Sequence, residues 1–332
     1  MVNPLKTGII GFGWVARDYM YPAIQSCDQV TLVAVCSAHG EDMQDLPTDV
    51  RQFTRLADML RTVELDAVYI ATPNHLHRTQ TVACLEAGVH VLCEKPMATG
   101  PADAEAMVAA AQNYGKVYAT AFDQRFHPAH QAMRALIQAG QLGTITQARV
   151  DYACWLPADW TPDNWRIEQA KAGGGAIIDL APHGLDLLET LLDDTIVELQ
   201  LYAQTAVQDY EVDDGGVIMV RFARGALGSL HVGYNRPDAF PRRKLEIIGT
   251  QRMLIAENTM GQEAGGTVRM IRAHDGEAQS VSFDTNASPF EQQIRSFAES
   301  IRHGKPPLRS PTDDLRLFKL LDKALIQTPY SV

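Results

Sequence analysis

The stretch that decides the fold lies near the start of the chain, where residues 5–16 read LKTGIIGFGWVA. An apolar run, predicted to be a β-strand over 5–11, leads directly into a Gly-x-Gly-x-x-Ala turn that opens a helix over 14–26. Gly11 permits the tight turn, Gly13 lets the backbone approach a pyrophosphate, and the small Ala16 allows the helix to pack closely on the strand. The unpaired N–H groups at the start of the helix are expected to bind the negatively charged pyrophosphate. This context predicts a dinucleotide-binding site at residues 11–16.

The first third of the chain continues to alternate short apolar runs with helical segments. Further strands are predicted near 30–36, 66–71, 89–93 and 117–121, and the intervening helices near 54–61, 76–88 and 101–114. Residues 37–51 are weakly patterned, so we expect a reduced crossover there. This order is typical of βαβ units and predicts a domain with a parallel sheet up to about residue 122.

The pattern changes from about residue 123, where a helix near 128–140 precedes a series of apolar runs. These runs are predicted to be neighbouring antiparallel strands, near 144–152, 216–222, 226–234 and 244–248. Residues 261–276 are rich in glycine and polar side chains and predict a hairpin, and helices are expected over 291–302 and 313–326. A second, α+β domain is therefore predicted over 123–332, with a last helix that can pack back on the first domain.

Length and charge limit the class of protein. The chain has 332 residues, more than the roughly 250 to 300 at which one hydrophobic core stops growing. With 46% hydrophobic and 21% charged residues, the composition is that of a packed globular protein. A net charge of -11 repels nucleic-acid backbones and anionic lipid, so neither is an expected partner. The basic run at 242–244 is interpreted as the solvated start of a strand.

Cysteine usage and hydropathy bear on the compartment. The five cysteines form no Cys-x-x-Cys pair, and their odd number favours reduced thiols. No apolar run reaches the roughly 18 residues of a membrane helix. The predicted first strand begins near Leu5, which leaves no space for a signal peptide. A cytoplasmic location is expected.

The end of the second strand bears on which dinucleotide is bound. Residues 35–39 read VCSAH, and Ser37 stands where NAD-specific proteins usually carry an Asp or Glu. Because the Ser37 side chain is neutral, it does not repel the 2′-phosphate of NADP. His39 is expected to lie close enough to contact that phosphate. No Arg or Lys stands ready to pair with that phosphate, so NADP is favoured and NAD stays open.

Four further motifs carry a resemblance that spans nearly the whole chain. Residues 71–77 read ATPNHLH, 94–96 read EKP, 122–126 read FDQRF, and 173–183 read GGGAIIDLAPH. In this order, and with Pro306-Pro307 before the last helix, they resemble the Gfo/Idh/MocA oxidoreductase family, which includes glucose-fructose oxidoreductase and inositol dehydrogenase. The resemblance implies an α/β protein: an N-terminal Rossmann domain, 1–122, and a C-terminal α+β domain with a large, mostly antiparallel open sheet. It also implies a homodimer or homotetramer formed through that sheet.

The family chemistry is reversible hydride transfer between NAD(P) and sugars, polyols and related ketones. Carried over by position, the resemblance makes Lys95, Asp179 and His183 the catalytic group. The expected cofactor-binding residues are Gly11, Phe12, Gly13, Trp14, Val15, Ala16, Ser37, Thr72, Pro73, Asn74, His77, Glu94 and Lys95. Two departures from the family pattern stand out: residues 123–125 read DQR where many relatives have Asn-Arg-Arg, and the acidic residue after the second strand is missing.

Oxidation of an alcohol requires a base for the hydroxyl proton and a group that stabilises the developing alkoxide. His183 is assigned as proton donor and acceptor because the usual histidine pKa of about 6.5 lies near working pH. Lys95 would stabilise the oxyanion, and Asp179 would orient His183 or bind a substrate hydroxyl. Asp186, seven residues after Asp179, would share their helical face and act as a further partner, unless the helix begins only at Pro182.

The remaining expectations concern the substrate. Trp165 and Arg166, which follow Trp160, are candidates to stack on and hydrogen-bond a polyhydroxylated compound, although a loop packed on its own core is an equal alternative. The expected substrate-binding residues are Lys95, Arg125, Trp165, Arg166, Asp179 and His183. The glycines at 173–175 are expected to let the backbone pass close to cofactor or substrate. His75 and His77 lack further ligands with zinc-like spacing, so no metal is expected.

Three alternatives stay open. The direction of reaction is not fixed, and the run from residue 155 to the glycine triplet is similar to that of anhydro-sugar reductases, so an NADPH-dependent reductase is an alternative to a dehydrogenase. A cofactor that stays bound and is recycled by two successive sugars is a second alternative. A dinucleotide-binding sensor or regulator that has lost turnover is the third, since a fold alone does not prove a function.

Overall fold

The computed structural model describes residues 3–38, 43–161 and 163–327. They form two compact units, each described by itself. One contains the described residues up to Ala121 together with Phe290–Leu315, and the other contains Phe122–Pro289 with the described residues from Arg316. The predicted domain limits, 1–122 and 123–332, differ from this division over residues 290–315, which pack with the first unit.

The strands of the first unit all precede those of the second along the chain. The strands are β1 Leu5–Ile10, β2 Val30–Cys36, β3 Arg51–Phe53, β4 Ala67–Ile70, β5 His90–Glu94, β6 Tyr118–Ala121, β7 Ile145–Ala153, β8 Ile196–Gln204, β9 Gly215–Phe222, β10 Leu227–Gly233, β11 Arg243–Gly249, β12 Arg252–Glu257, β13 Thr267–Arg272 and β14 Ala278–Ser280. The helices are α1 Tyr21–Ser26, α2 Leu56–Thr62, α3 His77–Glu86, α4 Pro101–Tyr114, α5 Pro128–Gln138, α6 Gln169–Ala172, α7 Ala176–Leu192, α8 Pro289–His303 and α9 Pro311–Gln327.

The first unit contains a parallel sheet in the order β3-β2-β1-β4-β5-β6. Its central strands are buried along most of their length, as β4 is at all four residues, because helices cover both faces of such a sheet. The predicted Rossmann-type domain is confirmed. The strand β3 was not predicted: it forms the sheet edge and begins at Arg51, the last residue of the stretch where a reduced crossover was expected.

Helix α8 comes from the far end of the chain and completes the core of the first unit. Its Phe290, Ile294 and Phe297 are buried in one cluster with Ile9 of β1 and Met20. Met20 ends a π-helical turn, Ala16–Met20, that runs directly into α1. Because these contacts join residues about 280 positions apart, sequence periodicity alone does not assign α8 to this unit.

The second unit contains an eight-stranded sheet in the order β14-β13-β12-β11-β7-β10-β9-β8. Most neighbours are antiparallel, as predicted, but β7 and β10 are parallel, which corrects the prediction for that pair. Parallel neighbours require a long crossover connection, and the chain between β7 and β10 includes the long helix α7. The predicted hairpin is formed by β13 and β14, slightly later than residues 261–276.

Helix α7 lies against β7, β9 and β10 and is the core of the second unit. It continues through Pro182, which falls in its second turn, so the shared helical face predicted for Asp179, His183 and Asp186 is present. Every side chain of α7 is buried except that of Asp179. A helix buried on all sides belongs to the core, and Asp179 is the one residue of α7 whose side chain reaches partly to the surface.

The opposite face of the sheet is exposed. Along β9, Ile218 and Val220 are buried while Val217 and Met219 are 42% and 48% exposed, the period-two alternation of a sheet covered on one side. Within the described ranges, no helix combines the length and apolarity needed to cross a membrane. The described residues also contain no group of three or more His, Cys, Asp and Glu side chains suited to a metal ion.

Candidate active site

The glycine turn has the geometry that a dinucleotide site requires. Gly11 has a φ of +83° and donates its N–H to the carbonyl oxygen of Cys36 at 2.8 Å. A Cβ atom at Gly11 would lie 2.7 Å from the carbonyl oxygen of Ala71, so a side chain does not fit there. Among the described residues, a Cβ at Gly13 would meet no atom within 4 Å. The binding of a pyrophosphate in front of Gly13 stays a prediction.

The other motif residues divide between core and surface. Phe12 and Ala16 are 3% and 0% exposed and belong to the core, so Phe12 can offer a ligand only its backbone. Val15 packs against the same core, whereas Trp14 is 37% exposed and its ring meets that of Tyr19 edge-on at 5.4 Å. These contacts anchor the glycine turn on the core of the first unit. The backbone at Gly13 is not covered by them.

Ser37 follows directly on β2 and is buried, with 6% of its surface exposed. Its N–H donates to the carbonyl oxygen of Phe53 at 3.0 Å, which fixes the end of β2 against β3. The neighbouring residue considered for a 2′-phosphate, His39, lies outside the described residues.

Polar side chains of the loop over residues 72–77 hydrogen-bond within the loop and to its neighbours. The hydroxyl of Thr72 donates to the Gln80 side-chain oxygen at 2.6 Å. Asn74, which follows Pro73, is 5% exposed and begins a 3₁₀ turn. His77 is fully buried, with Nδ1 3.0 Å from the carbonyl oxygen of Pro96 and Nε2 2.9 Å from that of Thr72.

Burial lowers the pKa of His77, so its neutral ring has one N–H to donate to one of those two carbonyls. The ring thereby links the 72–77 loop to the turn that carries Lys95. Both ring nitrogens face protein carbonyls, and contact of His77 with the cofactor stays a prediction.

Lys95 comes directly after the last residue of β5. The hydroxyl of Tyr69 donates to the Glu94 carboxylate, which also accepts the N–H of Lys95 at 3.2 Å. The Lys95–Pro96 peptide bond is cis, and the Lys95 side chain is half-buried. Glu94 thus positions the backbone of the lysine at the carboxyl edge of the parallel sheet, where ligands of such sheets bind.

In the second unit, α7 brings Asp179 and His183 together on one face. His183 is 3% exposed, and its Nδ1 lies 3.4 Å from Oδ1 of Asp123, a buried carboxylate in the 3₁₀ turn Asp123–Phe126. A carboxylate beside Nδ1 favours the tautomer that carries a proton there, which leaves Nε2 available as acceptor. Sequence reasoning singled out the DQR segment only as a departure and did not assign Asp123 this contact.

Asp179 is held by a residue that sequence reasoning missed. The hydroxyl of Tyr234, just after β10, donates to Oδ2 of Asp179 at 2.6 Å. Burial raises the pKa of Tyr234 well above its usual value, and the Asp179 carboxylate acts in the same direction, so the phenol stays a donor. Tyr234 lies 55 positions from Asp179 and no local motif marks the pair.

Asp186, predicted as a further partner on the helical face of Asp179 and His183, pairs with Arg125. Its two carboxylate oxygens accept from Nη2 and Nε of Arg125 at 2.6 and 2.8 Å, and both side chains are almost fully buried. This two-pronged ion pair links the 3₁₀ turn to α7. It engages the Arg125 guanidinium within the protein, and contact of Arg125 with substrate stays a prediction.

The glycine triplet has a structural reason that does not involve a ligand. Asp213 accepts the N–H groups of Gly175 and Ile177 on its carboxylate at 2.9 and 2.8 Å, and that of Ala176 on its carbonyl at 3.1 Å. These bonds satisfy the start of α7. Burial raises the pKa of Asp213 to about 6, although the backbone N–H groups oppose the shift. The close approach of Asp213 gives a structural reason for glycine at position 175, and passage of residues 173–175 close to cofactor or substrate stays a prediction.

Two indole rings flank one guanidinium in the loop before α6. Cζ of Arg166 lies 4.6 Å from the ring centre of Trp165 and 5.4 Å from that of Trp160, which is 39% exposed. The structure thus brings the two residues predicted to bind substrate together with a third. Stacking on the rings orders the guanidinium at the surface of the second unit.

Comparisons with known proteins agree on both parts of the chain. The model of an oxidoreductase family with an NAD-binding Rossmann fold, GFO/IDH/MocA, matches residues 5–122, and that of the GFO/IDH/MocA C-terminal domain matches residues 130–255. A 1,5-anhydro-D-fructose reductase from Ensifer adhaerens is 35% identical over 305 residues, 91% of this chain and 90% of the relative. A D-xylose 1-dehydrogenase (NADP(+)) from Haloferax volcanii is 24% identical, over 95% of this chain and 94% of the relative.

Among solved structures, the aldose-aldose oxidoreductase from Caulobacter crescentus in complex with glycerol superposes with a TM-score of 0.86. It is 24% identical and covers 98% of both chains. At this identity the superposition is informative about the fold alone.

Proposed function

The chain belongs to the Gfo/Idh/MocA family of oxidoreductases, and on that premise we propose that it reduces a sugar-derived ketone with NADPH, or catalyses the reverse oxidation. The observation that carries this proposal is the pairing of Asp179 and His183 on a helix whose other side chains are all buried. The Asp123 carboxylate lies 3.4 Å from Nδ1 of His183, and Asp179 accepts a hydrogen bond from a phenol hydroxyl, so each of the two side chains has a polar group beside it.

The residues present fit a dinucleotide. Open space in front of Gly13 and the tight turn at Gly11 suit a pyrophosphate, and Ser37 lies at the position that contacts the ribose. When bound, the nicotinamide donates or accepts the hydride. Ser37 carries no charge to repel a 2′-phosphate, and the name of the Haloferax relative includes NADP(+), which together favour NADP over NAD.

The chain's own residues supply the proton and the electrostatic stabilisation. During reduction the carbonyl oxygen gains negative charge as hydride reaches its carbon; the Lys95 ammonium stabilises that charge and His183 delivers the proton. Asp123 at Nδ1 supports the imidazolium, and Asp179 accepts a hydrogen bond from a neighbouring substrate hydroxyl. During oxidation the same groups act in reverse.

The proposed substrate is a ketone or alcohol of monosaccharide size. The Ensifer relative is named for 1,5-anhydro-D-fructose, and the proposed substrate class includes that compound. Trp165 offers an apolar surface for one face of a sugar ring, and the Arg166 guanidinium offers several donors to its hydroxyl groups. The five cysteines are free thiols, which supports a reducing, cytoplasmic location.

The first experiment follows nicotinamide absorbance with purified protein and a panel of sugars, polyols, 1,5-anhydro-D-fructose and other ketones. Each compound is tested with NAD or NADP in the oxidised and the reduced form. Turnover with NADPH and a sugar-derived ketone supports the proposal. Tight nucleotide binding without turnover of any compound in either direction would favour a sensor of the same fold.

Replacing Gly13 with alanine is expected to weaken NADPH binding by roughly tenfold or more, equivalent to about 1.4 kcal/mol. The new methyl group has no atom of residues 3–38, 43–161 or 163–327 within 4 Å, so it occupies the space proposed for the pyrophosphate without straining this part of the fold. Isothermal titration with NADPH gives the affinity, and thermal unfolding of the apoprotein serves as the control. Wild-type affinity in a stably folded G13A protein would contradict the proposed phosphate position.

We also propose that the exposed face of the eight-stranded sheet joins copies of this chain into a dimer or tetramer. The face presents Tyr202, Val217, Met219 and Leu227, which are between 42% and 71% exposed. Exposed apolar side chains grouped on one sheet face are typical of an interaction surface. Light scattering is expected to give two or four times the chain mass of 36.5 kDa.

The substitution Met219→Glu is expected to shift the protein to monomers, because it places an unpaired charge in the proposed interface. Ile326→Glu is the matched control: Ile326 is 79% exposed and belongs to α9, not to a strand of the sheet. A wild-type monomer, or an equal effect of both substitutions, would contradict the proposal.

A further inference from the structure

Tyr152 lies beside the proposed catalytic histidine but has no role in the mechanism above. It occupies β7, where 4% of its surface is exposed. Its ring meets that of His183 edge-on, with ring centres 5.6 Å apart and planes inclined by 77°. The phenol is therefore part of the wall around His183.

The hydroxyl of Tyr152 has no hydrogen-bond partner among residues 3–38, 43–161 and 163–327. Buried tyrosine hydroxyls usually find one, as Tyr234 does on Asp179 and Tyr69 on Glu94. The Tyr152 hydroxyl is therefore available to a ligand.

Charged groups of the site surround the phenol. Burial raises the pKa of Tyr152 far above its usual value, while the Arg243 guanidinium lowers it and the carboxylates of Asp123 and Asp179 raise it further. Cζ of Arg243 lies 5.9 Å from the ring centre. The net effect keeps the hydroxyl protonated at any working pH. Tyr152 is thus a fixed hydrogen-bond donor close to the carboxylates of Asp123 and Asp179.

We propose that the Tyr152 hydroxyl donates a hydrogen bond to the reacting oxygen of the substrate, which makes Tyr152 a fourth catalytic residue. This inference rests on the proposed function. In the reduction, hydride adds to the carbonyl carbon, the π electron pair moves to oxygen, and His183 gives that oxygen its proton. Tyr152 keeps its own proton throughout, and its hydrogen bond strengthens as negative charge develops on the oxygen.

The test is Tyr152→Phe, which removes one oxygen atom and retains the ring that packs on His183. We expect kcat to fall by about 10- to 100-fold, with KM changed less than about threefold, because the bond is strongest in the transition state. The Tm should not fall, since the hydroxyl loses no protein partner. NADPH affinity, measured by titration, should equal that of the wild type.

The matched control is Tyr118→Phe, at a tyrosine of β6 that is 1% exposed and whose hydroxyl is likewise buried with no hydrogen-bond partner in the described part of the chain. It should leave kcat and KM unchanged. A Y152F enzyme with wild-type kcat, or with a raised KM and wild-type kcat, overturns the inference and leaves the proposed function standing. A wild-type protein that turns over no compound of the panel overturns the proposed function and this inference together.

Discussion

Replacing Lys95 with alanine is expected to lower kcat/KM for the ketone by about 10³-fold, the effect of removing a group that stabilises a developing oxyanion. The loss is large because an ammonium group in a site shielded from water interacts with the transition state more strongly than water does. Nucleotide affinity should change by less than about 1.4 kcal/mol, or tenfold. Steady-state kinetics in both directions and titration with NADPH measure the two quantities.

Lys116 provides a matched control for this substitution. It is half-buried like Lys95 but precedes β6, at the amino end of the parallel strands, whereas Lys95 follows the carboxyl end of β5. Lys116→Ala should retain wild-type kinetics. A K95A enzyme that keeps more than a tenth of the wild-type kcat/KM would remove Lys95 from the catalytic group and leave the family and fold unaffected.

Local chemistry made the first unit predictable from sequence. Steric requirements explain the residues of the glycine turn: glycine at positions 11 and 13 and a small residue at position 16. These residues are close neighbours in the sequence, so a short motif contains all of them. The helix α4 was predicted with its observed limits, because Pro101 suits the first turn and Gly115, with a φ of +62°, suits the end. The contribution of α8 to the same unit depends on contacts across most of the chain, which periodicity does not contain.

The second unit was less predictable from sequence, because its side-chain contacts also join residues that are far apart in the chain. The family motif marked Asp179 and His183, but their partners Tyr234 and Asp123 come from other elements. Spacing on α7 predicted that Asp186 shares the face of Asp179 and His183, since i, i+3 and i, i+4 neighbours lie side by side. Its ion pair with the buried Arg125 was not predicted, because Arg125 lies 61 positions earlier in the chain.

Asp213 explains why α7 begins with glycine. Three successive backbone N–H groups at the helix start, from Gly175 to Ile177, all donate to this one residue, either to its carboxylate or to its carbonyl oxygen. The helix that carries Asp179 and His183 is therefore anchored where the backbone of Gly175 packs against the backbone of Asp213. A side chain at position 175 would not fit between them. In the sequence, the only sign is the pair of adjacent acidic residues before β9.

Replacing Gly175 with alanine is consequently expected to destabilise the protein by about 4 kcal/mol or more, at the upper end of single substitutions. A Cβ atom at this position would lie 1.9 Å from the carbonyl oxygen of Asp213, so the start of α7 has to move and its hydrogen bonds break. Thermal unfolding should show a fall in Tm of roughly 10 °C. The same substitution at Gly13 is the control, because a Cβ there meets no atom within 4 Å and should preserve Tm while nucleotide binding weakens. If G175A unfolded at the wild-type temperature, Asp213 would not constrain the start of the catalytic helix, and the glycines would again call for a ligand as their explanation.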